Sequence, residues 1–214
     1  MLKFKRVIFV LFIFITIIYY FINSNILSNK SKESKIKKDL KSALRCKKMS
    51  NVSDESYNLS KSLDCYFKLA RHGNSEAQYY RGLMYQLIDK RKEANEWYRK
   101  AADQGHVKAQ FHMGFLYFLG QEVELNYLQA KEWFLKAAKQ GHSGAQYKLG
   151  EIYRDGKGVP ISFSIAYKWF NLSASQDNSS KEYRDKLALE MTSEQIAVGQ
   201  ILSREFYEKY LDNN

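Results

Sequence analysis

From about residue 64 to residue 177, apolar side chains recur at helical spacing, and the whole arrangement returns after a fixed interval. Trp97, Trp133 and Trp169 stand 36 residues apart, as do Ala94, Ala130 and Ala166. Tyr117 and Tyr153, Gly105 and Gly141, and the pairs Ala109-Gln110 and Ala145-Gln146 keep the same step. The register continues backward through Gly73, Ala77-Gln78, Gly82 and Tyr85, where the step to the next unit is 32. The four missing residues fall between Tyr85 and Ala94, where the third unit carries Asp155-Gly156-Lys157-Gly158-Val159. A deletion confined to a turn leaves the helices on either side in register.

Within each unit the pattern predicts two amphipathic helices. In the third, Ala145, Leu149, Gly150 and Tyr153 share one helical face. Gly156 and Gly158 then break the helix, and Ala166, Trp169, Phe170 and Ala174 form the inner face of its partner. Glycine and alanine at facing positions let two backbones approach closely, while Trp and Tyr fill the spaces between pairs. No alternating strand pattern competes, so the fold class is all-α. One such pair cannot bury its apolar face alone, and the units are therefore expected to stack as an α-solenoid. Beyond the repeats, Thr192-Ser193-Glu194-Gln195 has the form of a capping box opening a final helix over roughly residues 193–210.

A different apolar stretch opens the chain. Lys3, Lys5 and Arg6 precede sixteen apolar or weakly polar residues, Val7–Ile22, the layout of a signal anchor or export signal. As a helix this run spans roughly 24 Å, slightly short of a hydrocarbon core of about 30 Å. The Asn23-Ser24-Asn25-Ile26-Leu27-Ser28 exit is a poor cleavage site, which favours a transmembrane helix retained as a membrane anchor over secretion after cleavage. The head cations favour a domain outside the cytoplasm; Lys30, Lys32, Lys35, Lys37 and Lys38 pull the other way.

Net charge is +11, but its distribution removes the nucleic-acid reading. Residues 1–50 hold twelve Lys and Arg against Glu33 and Asp39, whereas residues 51–214 hold 22 basic and 21 acidic side chains. A nearly neutral folded part has no electrostatic footprint for phosphate. The basic run from Lys30 to Lys48 reads either as a solvated helix packing Ile36, Leu40 and Leu44, or as a segment drawn to anionic lipid.

The sequence contains no nucleophile elbow, phosphate loop or dinucleotide-binding glycine pattern. His72, His106 and His142 flank turn glycines as repeat positions, suited to capping or exposure. With His112 they show no metal-ligand spacing. The expectation is no enzyme, no cofactor, no metal and no small-molecule substrate.

The run Ala-Gln-Tyr-Lys-Leu-Gly-Glu-Ile-Tyr-Arg-Asp-Gly-Lys-Gly-Val at 145–159, followed by Ala-Tyr-Lys-Trp-Phe at 166–170, resembles the Sel1-like repeat, a relative of the tetratricopeptide repeats. The departures are the short first turn and Glu122 in place of Gly158. The organisation expected is a signal segment over 1–27, a basic juxtamembrane stretch over 28–60, Sel1-like helix-turn-helix repeats over 61–177, and capping helices over 178–214. In the repeat register Cys65 takes the Trp place and Cys46 faces it across a degenerate pair. A disulfide and two buried thiols both suit that placing.

The resemblance implies a concave surface lined by the first helix of each pair. Its variable positions are Tyr79, Leu83, Gln86 and Leu87; then Phe111, Phe115, Phe118 and Leu119; then Tyr147, Glu151, Arg154 and Asp155. The second set is apolar where the third is charged. Among them Leu83, Phe115, Phe118 and Leu119 are expected to lie off the stacking face as a continuous apolar strip ending in Glu151 and Arg154, with Leu83 and Phe115 mattering little for stability. Another protein or peptide is the expected partner. The role implied is a membrane-anchored interaction scaffold. A dedicated inhibitor or immunity-type protein that sequesters one partner at the cell envelope is the alternative.

Overall fold

The computed structural model describes residues 65–212. The apolar run Val7–Ile22, the lysines from Lys30 to Lys48, and Cys46 lie outside the described residues. Cys65, at their start, is disulfide-bonded.

A helical segment over 65–71 leads into α1 (Ser75–Leu87), α2 (Arg91–Asp103), α3 (Val107–Leu119), α4 (Tyr127–Ala138), α5 (Ser143–Asp155), α6 (Phe163–Ala174), α7 (Asn178–Ala188) and α8 (Ser193–Tyr210). Among the described residues there is no strand. The first six pair as α1 with α2, α3 with α4 and α5 with α6, and each pair packs on the next through α2 on α3 and α4 on α5. At the far end α6 is covered by both α7 and α8.

Helix ends follow from short polar side chains and glycines. Asn74, Asn126, Ser162, Asp177 and Thr192 accept the first free backbone N–H groups of α1, α4, α6, α7 and α8, donors that a helix leaves without partners. Thr192 and Gln195 complete a capping box on α8. Two histidines do the same work: Nδ1 of His106 accepts from the Ala109 N–H, and Nδ1 of His142 from the Ala145 N–H, both at 3.2 Å. His72 is exposed, and the cap at that junction is Asn74. At the C-terminal ends, Gly120 and Gly156 close α3 and α5 in the left-handed region.

The tight approach within each pair centres on one contact used three times. The residue after each repeat Trp, namely Tyr98, Phe134 or Phe170, is fully buried and lies flat on a glycine of the facing helix. A Cβ on Gly82 would stand 2.7 Å from the Tyr98 ring, one on Gly150 would stand 2.6 Å from Phe170, and one on Gly114 would collide with Phe134. Only glycine fits beneath such a ring.

The recurring glutamine has an equally specific cause. Gln78, Gln110 and Gln146 are buried, and each donates from Nε2 to the carbonyl eight residues earlier: Ala70 at 3.2 Å, Ala102 at 3.2 Å and Ala138 at 3.3 Å. A second glutamine closes the clamp from the next turn, Gln104 to Gln78 Oε1 at 2.6 Å and Gln140 to Gln110 Oε1 at 2.8 Å. At the third rung Gln176 donates only to the Gly141 carbonyl, at 3.2 Å, and Gln146 Oε1 is left without a partner among the described residues. These bonds satisfy polar groups that would otherwise be costly to bury and tie each pair to its neighbour.

The first repeat departs at one core position. Met113 and Leu149 are buried there in the later repeats, whereas Arg81 lays its guanidinium 4.1 Å from the Trp97 ring centroid and 4.9 Å from that of Phe67.

Candidate partner-binding surface

The first helices α1, α3 and α5 bring the expected positions to one side of the stack, and α7 extends it. Tyr79, Phe111, Tyr147 and Tyr183 occupy one register. Each of the first two rings stacks on the capping histidine of the next repeat: Tyr79 on His106 at 4.7 Å and 23°, Phe111 on His142 at 4.3 Å and 27°. Tyr147 meets Tyr183 edge-on at 5.2 Å.

Here the expectation of residues free of the core needs correction. Phe111, Phe115 and Phe118 are half-buried and all contact the buried Phe134 ring, at centroid distances of 5.7, 5.9 and 6.1 Å. Tyr79 and Leu83 likewise pack against the cluster around Tyr98 and Met113. The partner helix α4 covers these rings with Phe134, and the next repeat adds His142 against Phe111, so the face turned to the partner helix is wider than the spacing within one helix suggests. Of the expected apolar positions, Leu87 and Leu119 remain open, at 85% and 49% exposure.

The polar end of the strip is a set of ion pairs. Lys148 donates to Glu151 Oε2 at 2.6 Å. Its Nζ lies 5.3 Å from the Phe115 centroid, 5.4 Å from Phe118 and 5.4 Å from Tyr147. Arg154 and Lys157 both hold Asp155, at 2.6 and 2.9 Å, and Lys157 also stands 5.0 Å over Phe118. Burial pushes the Asp155 carboxyl up, but the two cations outweigh it and hold the group below the usual carboxylate range. Burial, then Tyr183 and Glu151, push the Tyr147 phenol up.

The structure thus brings Phe115, Phe118 and Glu151 together and adds Lys148, which sequence reasoning missed. Tyr183 was also missed, although it stands 36 residues after Tyr147 and extending the register would have found it. Nothing in the periodicity singles out Lys148.

A second concavity of about 320 Å³ opens beside the short first turn, lined by Gln86, Asp89, Arg91, Tyr98, His112 and Glu122 among others. The His112 ring lies 3.9 Å from the Tyr98 centroid, and burial lowers its pKa to about 4. Asp89 and Glu122 both adopt φ of 58°, a left-handed conformation strained for a residue with a Cβ. Among the described residues no group of three His, Cys, Asp or Glu could hold a metal ion, and no helix is long and apolar enough to cross a membrane.

Comparison with known families assigns the stack. Residues 75–106, 107–142 and 143–178 each match the Sel1 repeat. The chain belongs to the Sel1 repeat family. The three Sel1 repeats therefore correspond to α1–α2, α3–α4 and α5–α6, each with its following turn. No curated protein matches the sequence. Among solved structures, a protective antigen of uropathogenic Escherichia coli with an SLR fold is 30% identical, with a TM-score of 0.70 over 83% of this chain and 39% of the antigen. A Sel1 repeat protein from Oxalobacter formigenes is 27% identical, with a TM-score of 0.59 over 68% of this chain and 62% of that one. The chain thus spans less than two thirds of either relative. An immunity protein from Pseudomonas aeruginosa, 22% identical at a TM-score of 0.40, is too unlike in shape to bear on role.

Proposed function

We propose that this Sel1 repeat chain is a non-catalytic protein-binding module that docks a polypeptide partner across the first helices of its repeats. We further propose that Val7–Ile22 tethers it to a membrane with the repeats outside the cytoplasm. The observation that carries the docking reading is the aromatic surface running from Tyr79 through Phe111, Phe115 and Phe118 to Tyr147. Its rings are anchored in the core yet half-open to solvent, and it ends in the cluster of Lys148, Glu151, Arg154 and Asp155. Rigid aromatic side chains held in place, bordered by charge, are the composition of interaction hot spots. The tether rests on the cations preceding the apolar run.

A photoreactive amino acid placed singly along the surface tests the docking reading. Substituted at the open Leu119, it should crosslink a partner in the native cell; substituted at the exposed Glu96 of α2, it should not. Equal labelling from both places would remove the proposed face. One product of a single size would favour sequestration of a dedicated partner, and several would favour a scaffold. For the tether, alkaline phosphatase fused after Asn214 should be active, and silence of that fusion would mean that the Lys30–Lys48 cluster sets the orientation.

A further inference from the structure

The concave surface changes chemistry between the second and third repeats. At one register of the first helices stand Leu83, Phe115 and Glu151, so a carboxylate takes the place that apolar side chains hold in the two earlier repeats. Its side chain is only 17% exposed. Around it lie Phe115 and Phe118 from α3 and Tyr147 from its own helix, and what they enclose is an ammonium group. Lys148 Nζ sits within 5.3–5.4 Å of all three ring centroids and 2.6 Å from Glu151.

A carboxylate set among aromatic rings is a receptor for a cation. The negative faces of the rings and the carboxylate act on the same charge, and both act more strongly where water is partly excluded. In the free chain this receptor is filled from within. Its occupant is exchangeable, since lysine carries its charge as a compact ammonium on a flexible stem that can swing out to solvent. Arg154 acts on Glu151 through space but makes its direct contact with Asp155, which Lys157 also holds.

Resting on the docking reading above, we infer that this cage is the specificity pocket of the concave surface, and that the partner inserts a lysine or arginine side chain that displaces Lys148. Exchange of one cation for another keeps the ion pair and the ring contacts, and it frees Lys148 to reach solvent. An acidic side chain would meet Glu151 as a like charge. An apolar one would leave that carboxylate covered without a counter-ion, which is costly.

The test is selection from a random dodecapeptide library displayed on phage, against the full chain in detergent. Peptides made from the enriched sequences are then titrated by fluorescence anisotropy on the unaltered chain, Lys148→Ala and Glu151→Gln. The enriched sequences should share one lysine or arginine, and its replacement by norleucine should weaken binding about tenfold or more. Lys148→Ala, which empties the cage, should bind the same peptides about tenfold more tightly, and Glu151→Gln about tenfold more weakly. Both side chains are largely covered, Lys148 at 20% and Glu151 at 17% exposure, so affinities are compared at a temperature below the melting transition of each variant, where both are fully folded. Enrichment of aspartate or glutamate, or weaker binding by Lys148→Ala, would overturn the inference and make Lys148 the anchor for an acidic partner. Peptides indifferent to both substitutions but weakened by Leu119→Arg would overturn the cage while sparing the docking surface. No enriched peptide at all would count against both.

Discussion

At the residue scale the sharpest constraint is the ring-on-glycine contact. Phe170 is fully buried and has no room to retreat from a new side chain at Gly150, so Gly150→Leu should destabilise by about 1–3 kcal/mol through overpacking. An unchanged thermal midpoint would show that α5 and α6 can separate at little cost. Phe115 and Leu119 make a second comparison. Both belong to the candidate surface, but Phe115 packs edge-on to Phe134 while Leu119 is half open. Phe115→Ala should lower stability by about 1–3 kcal/mol, below the range for a fully buried phenylalanine, and Leu119→Ala by about 0.5 kcal/mol or less. Chemical denaturation of the two variants checks the ordering. Because Phe115 serves packing as well as surface, its loss cannot be read as a pure binding effect, whereas Leu119 can be probed more cleanly.

At the scale of elements, the junction that opens α5 depends on a neutral histidine. His142 caps α5 through Nδ1, an acceptor that protonation abolishes. Burial, followed by Lys108, lowers its pKa. His112, in the cleft beside Tyr98, is lowered to about 4 by burial. Both folded values lie below the ordinary one near 6.5, so in acid the unfolded chain binds more protons than the folded one. The stability these groups contribute is complete above about pH 6.5 and is lost as pH falls towards 4, with His112 alone losing on the order of 2 kcal/mol by pH 5. Melting temperature measured from pH 7 to pH 5 should fall, and the fall should be shallower in His112→Gln combined with His142→Asn. Asparagine is the appropriate replacement because Asn74 already caps α1 at the corresponding junction, accepting from the Ala77 N–H at 2.8 Å. An identical slope in the double variant would place the acid sensitivity elsewhere.

For the whole molecule, the stack needs a closing element, and α8 supplies it. Phe206 meets Trp169 at 4.8 Å, Ser203 donates to the Lys168 carbonyl at 3.3 Å, and Gly199 admits Tyr167, whose ring would stand 2.8 Å from a Cβ there. A solenoid that ends without such a cap exposes its core. Truncation after residue 188 should uncover Tyr167 and Trp169, seen as a rise in binding of an apolar dye and as self-association in size-exclusion chromatography. A truncated chain that stays monomeric and dye-negative would mean that α7 alone closes the array.

The periodic part of this organisation is legible in the amino-acid order, because it is local. Helix pairs, turn positions and the capping box of Thr192 depend on spacing within a few turns, and a 36-residue step shows which residues share a role. Tyr183 and the Ala-Gln recurrence were equally available there, although the reason for the glutamine emerges only when Ala70, Gln78 and Gln104 are seen together. What only the tertiary structure decided is which outward positions stay open. Phe111 and Phe115 look exposed along their own helix, yet α4 and the capping His142 close over them from positions 19 to 31 residues away in the chain. The same closeness of neighbouring pairs carries Lys148 onto the rings of the preceding repeat. How far one pair advances on the next is set by packing across the junction, and no spacing within a single helix encodes it.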